Sequence, residues 1–110
     1  MDFSSIPGQI YFNNKFIRSD KAKVHVLTHS LHFAGSVFEG IGVYKGKPLF
    51  MSEHYERFLR SAKLIGLNPT KNIQQLKNIS IKLLKKNKIS DGYIRPIFFR
   101  SAHSMSPDVS

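Results

Sequence analysis

The strongest constraint on the fold is a pair of consecutive amphipathic helix patterns between residues 52 and 87. Ser52 is the expected cap of the first helix and Gly66 its expected stop, because these residue types favour the two helix ends. The second helix is expected from about Ile73 to Asn87. The inward faces consist of Tyr55, Phe58, Leu59, Ala62 and Ile65 in the first helix and Ile73, Leu76, Ser80, Leu83 and Leu84 in the second. Both faces need another layer to pack on.

Strand patterns surround the two helices. Two glycines in one of them mark a bulge or the close approach of another group, and Pro96 in the last one favours an edge or a bulge. Residues 28–35 suit a helical turn or a tight loop behind a possible Thr28 cap. Strands are expected at 9–18, where Asn13-Asn14 turns a hairpin, and at 23–27, 36–44, 48–51 and 93–100. This order predicts an α+β two-layer sandwich, with an antiparallel sheet and helices packed on one face.

Composition and charge restrict the class of protein. The 110 residues allow one domain, and the absence of cysteine excludes disulfides and thiolate metal sites. No segment is apolar over the roughly 20 residues that span a bilayer, and the N-terminus lacks a secretion signal, so we expect a cytoplasmic protein without a membrane partner. The net charge of +10 could attract nucleic acid, but the basic residues are scattered and their densest run, 82–88, lies on one helix. We therefore expect a solvated helix face and no specific nucleic-acid partner.

Three places in the chain have residue types that could bind a ligand, and each also has a structural interpretation. Arg57, near the start of the first helix, can extend to solvent or reach over the helix start to a phosphate. Arg95 shares a strand face with Tyr93 and lies either on a wet sheet face or in a pocket that receives a carboxylate. Phe38 and Gly40 also share a face, which suits either an apolar ligand or a core side chain beside a bulge.

Common catalytic motifs are not found in the sequence. His29 and His32 could share a face, but a zinc site needs three or four ligands, so no metal site is expected. There is no nucleophile elbow, P-loop or dinucleotide-binding glycine pattern. The lysines lie in turns, on charged helix faces or at polar strand positions, not in an apolar pocket of the kind that activates a lysine. We therefore assign no catalytic residue to this chain.

Four motifs resemble one enzyme family in order and spacing. The longest is AKVHVLTHSLHFAGSVFEGIGVY at 22–44, and the others are IYFNNKFI near the start, EHYERFLRSAKLIGL at 53–67 and YIRPIFFR at 93–100. Together they resemble the N-terminal part of the branched-chain amino-acid aminotransferases, which are pyridoxal-phosphate (PLP) enzymes of fold type IV. The resemblance covers about residues 9–105.

The resemblance implies a domain organisation and an activity. Residues 1–100 correspond to the small N-terminal domain and residues 101–110 to the start of the interdomain loop, while the larger PLP domain with its Schiff-base lysine is absent from these 110 residues. The family transfers amino groups between leucine, isoleucine or valine and 2-oxoglutarate, and it forms homodimers. The cofactor expected for the full-length protein is PLP, which we do not expect this chain to bind alone.

The resemblance also implies site residues. Arg57 corresponds to the arginine that binds the PLP phosphate, and Phe38 and Gly40 to residues that line the apolar side-chain pocket. Tyr93 and Arg95 correspond to substrate contacts, where the arginine helps to accept the acidic side chain of glutamate.

Two positions depart from the family pattern. Phe33 corresponds to an aromatic residue, often tyrosine, that reaches the neighbouring subunit's site, so a hydroxyl is lost here. Gly42 stands where many members have arginine. The loss of that positive charge affects recognition of dicarboxylates more than recognition of neutral or aromatic substrates.

Other functions remain compatible with the residues. The chain also resembles, less closely, the small domains of D-amino-acid aminotransferases and aminodeoxychorismate lyases, although the pair VFEGI and YIRP favours the branched-chain group. A basic, non-catalytic interaction module is the alternative from another class; steeply salt-dependent binding to nucleic acid would support it.

We predict that the isolated chain is inactive, because the lysine that holds and releases the cofactor is expected in the other domain. Purified 1–110 incubated with PLP, valine and 2-oxoglutarate should form no glutamate above the protein-free control. A cofactor absorbance band together with measurable transamination would contradict this prediction.

Overall fold

Residues 8–101 are described by the computed structural model, and they form seven short strands and three α-helices. In chain order the elements are β1 (Gln9–Phe12), β2 (Lys15–Arg18), α1 (His29–Phe33), β3 (Val37–Phe38), β4 (Ile41–Tyr44), β5 (Lys47–Pro48), α2 (Met51–Leu64), α3 (Ile73–Lys86), β6 (Gly92–Ile94) and β7 (Ile97–Phe98), with a 3-10 turn at Ser19–Lys21. The α+β class is confirmed. The strands are divided among three small antiparallel sheets, ordered β1-β2, β3-β7 and β5-β4-β6.

The first hairpin follows from its two-residue turn. Phe12 pairs with Lys15, and Asn13 and Asn14 between them have φ angles of 49° and 68°. A two-residue turn with positive φ at both positions matches the twist of antiparallel strands, and asparagine tolerates that conformation better than most residues. The predicted hairpin is confirmed.

The core lies between the β5-β4-β6 sheet and the two long helices. Its buried side chains are Ile41, Val43, Tyr55, Phe58, Leu84 and Ile94. Three of these come from β4 and β6 and three from α2 and α3, so the inward faces expected from the periodicity do form the helix side of the core. The polar Ser80 is tolerated beside this core because its buried hydroxyl is hydrogen-bonded: it bonds to the Tyr55 hydroxyl at 2.5 Å and donates to the Leu76 carbonyl at 2.8 Å.

A break in strand pairing occurs at the same level on two adjacent segments. Phe38 pairs with Ile97 and Ile41 pairs with Ile94, but the residues between these pairs, 39–40 and 95–96, are outside the ladders. The predicted continuous strand at 93–100 is therefore wrong, and Pro96, for which an edge or a bulge position was expected because it has no N–H to donate, lies in the break. The alternation of faces is retained: Ile97 is exposed, as are Tyr93 and Arg95, while Ile94 and Arg100 are buried.

The ends of α2 differ in how well they were predicted. The helix begins at Met51 after Phe50, which has a φ of 55°, and Ser52 lies inside the first turn, where its hydroxyl accepts a hydrogen bond from Lys77 at 3.0 Å. The expected Ser52 cap is therefore wrong. The Gly66 stop is confirmed: this residue has a φ of 85°, and the Leu67 amide donates to the Ala62 carbonyl at 2.9 Å.

Two other predicted strands differ from the structure: the one at 23–27 is wrong, and the returning hairpin strand at 48–51 is present but shorter. At 23–27 the chain makes a turn in which the Thr28 amide donates to the His25 carbonyl at 2.9 Å and the Leu27 amide to His25 Nδ1 at 3.0 Å. The strand expected at 48–51 is the shorter β5, since the Leu49 amide donates to the Gly42 carbonyl at 2.8 Å and α2 begins two residues later. Residues 28–35 contain the expected helical turn, α1, although the Thr28 hydroxyl bonds back to the His25 carbonyl and does not cap it.

The chain after Arg100 was expected to begin an interdomain loop. Ser101 is the last described residue, so that expectation falls almost entirely outside the described part of the chain. Over residues 8–101, no helix has the length and apolar character needed to cross a membrane.

We predict that Phe58→Leu lowers the free energy of unfolding by about 1–2 kcal/mol. Phe58 is 1% exposed and stacks on Phe98 with a ring-centre distance of 4.0 Å, so a leucine leaves a gap and removes the stacking. Urea unfolding followed by circular dichroism measures the change. Leu64→Ala on the same helix, where the side chain is 81% exposed, is the control and should be close to neutral. Equal effects of the two changes would contradict the prediction.

Candidate functional site

Four of the six residues singled out in the sequence lie together on one exposed face, and we call Phe38, Gly40, Tyr93 and Arg95 the aromatic–arginine cluster. The Arg95 Nε donates to the Tyr93 hydroxyl at 2.7 Å, and its Nη2 contacts the same oxygen. The guanidinium carbon lies 4.3 Å from the centre of the Phe38 ring and 5.2 Å from that of Tyr93. Phe38 is 58% exposed and Tyr93 53%. A cation is thus held by two aromatic side chains on a solvent-facing surface.

Gly40 leaves room for the Tyr93 side chain. A Cβ atom at position 40 would lie 2.8 Å from the Tyr93 hydroxyl oxygen and 3.0 Å from the ring edge, closer than carbon and oxygen atoms tolerate. The glycine therefore permits this close approach of the Tyr93 side chain, one of the two meanings that the sequence allowed for it.

Arg57 is bound to a buried carboxylate that the sequence reasoning missed. Its Nε donates to Glu39 Oε2 at 2.8 Å and its Nη2 to Glu39 Oε1 at 2.7 Å. His54 Nδ1 lies 2.7 Å from the same Oε1. The Glu39 side chain is 5% exposed, His54 20% and Arg57 59%, so the carboxylate is the buried centre of the group and the guanidinium its outer edge.

Two signals in the sequence could have identified this group. Strand alternation puts Glu39 on the face of Val37 and Ile41, which points to the core, and a buried carboxylate requires a cation. His54 and Arg57 are three residues apart, so they share a face of α2.

Electrostatics keep the Glu39 carboxylate ionised. The hydrogen bonds from Arg57 lower the pKa of Glu39 most; burial raises it, and His54 lowers it further, with a net change from 4.5 to about 2. The same hydrogen bonds raise the pKa of Arg57. Over most of the pH range the pair is therefore a carboxylate and a guanidinium cation.

Arg57 and the cluster are linked through the backbone. Glu39 stands between Phe38 and Gly40 in the chain, and its side chain points to α2 while the Phe38 side chain belongs to the exposed face. The Glu39 amide donates to the Pro96 carbonyl at 3.1 Å, which ties the break between β3 and β4 to the break beside Arg95.

Phe33 is separate from the cluster. It lies on α1, is 60% exposed, and its ring contacts His29 at 4.9 Å between ring centres. The helix is attached near the end of β7, where the His29 amide donates to the Ser101 carbonyl at 3.2 Å and the Arg100 amide to the Ser30 hydroxyl at 2.8 Å. No contact between described residues joins Phe33 to the other five positions.

Two cavities lie elsewhere on the described part of the molecule. One, of about 560 Å³, is lined by the hairpin turn and the 23–28 segment. The other, of about 420 Å³, lies between the hairpin and the long helices and reaches Arg95 at its edge. Of the cluster, only Arg95 lines one of these two cavities. Within residues 8–101 no three His, Asp or Glu side chains are grouped in a way that could hold a metal ion.

Comparisons with known proteins identify the family of this fold. A family model described as amino-transferase class IV matches residues 36–109, a range that includes both the aromatic–arginine cluster and Arg57. The chain belongs to the class IV aminotransferase family. The matched segment of this chain contains the paired breaks of the sheet and the helix that presents Arg57.

Individual class IV aminotransferases match nearly the whole chain. A probable branched-chain-amino-acid aminotransferase of Rickettsia bellii is 41% identical over 97 residues, which are 88% of this chain and 34% of the relative. The solved branched-chain aminotransferase of Escherichia coli has a TM-score of 0.86 at 34% identity, covering 92% of this chain and 35% of that one. The branched-chain aminotransferase of the archaeon Thermoproteus uzoniensis, solved with norvaline, has a TM-score of 0.81 at 30% identity, covering 91% and 35%. The chain thus spans about a third of the length of these relatives.

We predict that Glu39 contributes acid-sensitive stability. Because its pKa is lowered from 4.5 to about 2, the ionised form stabilises the fold above pH 4.5, and this contribution is lost as the pH falls from 4.5 to about 2. We expect it to amount to about 1–2 kcal/mol, less than the full shift, because the partner Arg57 is 59% exposed.

Urea unfolding of wild type and Glu39→Gln at pH 5.5, 4, 3 and 2.5 measures this contribution. The stability difference between the two should shrink toward low pH. Glu56→Gln is the control, because Glu56 is exposed on α2, the helix that carries Arg57. The stability difference between Glu56→Gln and wild type should change little with pH. A Glu39→Gln difference independent of pH would show that the carboxylate charge contributes nothing.

Proposed function

We propose that this chain is the N-terminal domain of a PLP-dependent aminotransferase that moves amino groups between leucine, isoleucine or valine and 2-oxoglutarate. The observation that carries the proposal is that Glu39, which holds the outward-facing Arg57, stands in the chain between Phe38 and Gly40 of the aromatic–arginine cluster. The relatives reported above are branched-chain aminotransferases by name, which favours branched-chain substrates over the D-amino-acid and aminodeoxychorismate alternatives.

The exposed edge of Arg57 fits the phosphate of the cofactor. Two of its nitrogens are engaged by Glu39, and within residues 8–101 its Nη1 group has no hydrogen-bond partner. A guanidinium has five N–H donors, so three remain for an anion. PLP, when bound, supplies the electron sink for amino-group transfer. In this proposal Arg57 holds the phosphate.

The aromatic–arginine cluster fits the two kinds of substrate. Phe38 and Tyr93 form an apolar surface for an aliphatic side chain, and Gly40, against which Tyr93 packs, adds no side chain to it. Arg95 offers its Nη1 group to a carboxylate while Tyr93 and Phe38 hold its guanidinium plane. The same site would thereby receive the apolar side chain of leucine and the acidic side chain of glutamate.

The proposal assigns the remaining parts of the site to other parts of the protein. The Schiff-base lysine and most PLP contacts belong to a larger C-terminal domain. Phe33 and Leu31 are 60% and 63% exposed on α1, which suits a surface covered by a second subunit in a cytoplasmic homodimer.

The first test is the DNA downstream of the Ser110 codon. We expect an in-frame C-terminal domain with a Schiff-base lysine, and the protein extended through it should transaminate leucine, isoleucine and valine with 2-oxoglutarate. A stop codon directly after Ser110 would overturn the proposed domain role, and activity on D-alanine without activity on leucine would overturn the substrate assignment.

In that extended protein we predict that Arg95→Met raises the KM for 2-oxoglutarate about tenfold or more and changes the KM for leucine much less, because only the diacid presents a side-chain carboxylate to the guanidinium. Steady-state kinetics with each substrate varied in turn measures the change in both KM values. Arg60→Met, an exposed arginine of α2, is the matched control. An equal rise in both constants would contradict the proposed contact.

A further inference from the structure

Both carboxylate oxygens of Glu39 contact side chains of α2. Both oxygens accept hydrogen bonds from Arg57, at 2.8 and 2.7 Å, and Oε1 also contacts His54 Nδ1 at 2.7 Å. The side chain is 5% exposed, and the backbone on either side is fixed because the Glu39 amide donates to the Pro96 carbonyl. The carboxylate is therefore a rigid, buried anchor.

Arg57, in contrast, is a long side chain that is 59% exposed. Such a side chain without a partner samples several rotamers, and a ligand that binds it has to restrict that motion. The two parallel hydrogen bonds from a fork-shaped guanidinium to one carboxylate fix both the position and the plane of the group. The guanidinium of Arg57 is thus already held in place by Glu39 before a ligand contacts its outer edge.

Building on the proposed contact between Arg57 and the cofactor phosphate, we propose that Glu39 is a positioning residue: it holds the Arg57 guanidinium in the orientation that receives the phosphate. It acts on the cofactor through Arg57 and does not itself touch it.

Charge alone predicts the opposite effect of removing Glu39. A carboxylate beside an anion site repels the anion, so its neutralisation should tighten phosphate binding if Coulomb forces dominate. If positioning dominates, neutralisation should weaken binding, because Arg57 loses its bidentate grip. The two explanations therefore differ in the sign of the change, which makes them separable by one measurement.

The experiment uses pyridoxamine 5′-phosphate and, as a phosphate-free probe, pyridoxamine. Neither has an aldehyde, so neither reacts with the lysines of the chain. Both are titrated into the 15N-labelled protein extended through the C-terminal domain, which supplies the other cofactor contacts, and the Arg57 Nε–Hε signal, assigned through Arg57→Lys, reports binding. We expect Glu39→Gln to weaken pyridoxamine 5′-phosphate binding about five- to tenfold and to broaden or shift the Arg57 signal before ligand is added.

Two further variants complete the test. Glu56→Gln removes the same charge from an exposed position next to Arg57 and should change the affinity by less than about twofold. Glu39→Asp keeps the charge but retracts the carboxylate by one methylene group, so it should weaken binding as Glu39→Gln does. Glu39→Asp also decides the question if Glu39→Gln fails to fold. Pyridoxamine should not distinguish any of these variants from wild type.

Each possible result is informative. Equal or tighter phosphate binding by Glu39→Gln, or wild-type affinity in Glu39→Asp, would overturn the positioning role and leave the phosphate role of Arg57 intact. An Arg57 signal that does not respond to pyridoxamine 5′-phosphate in the wild type would overturn both. Equal weakening for pyridoxamine and its phosphate would also overturn the inference, since it would indicate a general structural defect.

Discussion

The antiparallel pairing of residues 37–43 with residues 92–98 is the constraint on which the rest of the structure depends. It brings two distant segments together. Residues 39–40 and 95–96 interrupt this pairing at the same level on both segments, between the two regular ladders. Pro96 has no N–H, yet its carbonyl accepts from the Glu39 amide, so the interruption is itself hydrogen-bonded. The inward side of this pairing forms half of the core, and the outward side forms the aromatic–arginine cluster.

A buried charge connects the two sides. Carboxylates are costly to bury, and Glu39 is tolerated because Arg57 and His54 satisfy both of its oxygens. Since adjacent strand residues face opposite ways, this pair lies directly behind Phe38 and Gly40. One strand residue therefore determines where an arginine of α2 is held, and its two neighbours shape the exposed face.

Several elements could be predicted from local sequence because local interactions determine them. Asn13-Asn14 set the hairpin turn, Gly66 ended α2, and the periodicity of Tyr55, Phe58 and Ala62 gave the buried face of that helix. The errors arose from hydrogen bonds that composition and periodicity do not reveal, some of them local and some between distant residues. Residues 23–27 have the composition of a strand, but they make a turn around His25. The resemblance to class IV aminotransferases identified the cluster residues and Arg57 but not Glu39, whose role depends on a contact 18 residues away.

The sequence by itself determined the fold class, the long helices, the first hairpin and the family, because periodicity, turn chemistry and motif order are properties of the chain alone. Only the tertiary structure decided that the strand at 93–100 is split, that Ser52 binds Lys77 and does not cap a helix, and that Glu39 and Arg57 form a pair. These outcomes depend on which groups meet across the core. Buried polar atoms find their hydrogen-bond partners when distant parts of the chain pack together, and local propensity does not encode those contacts.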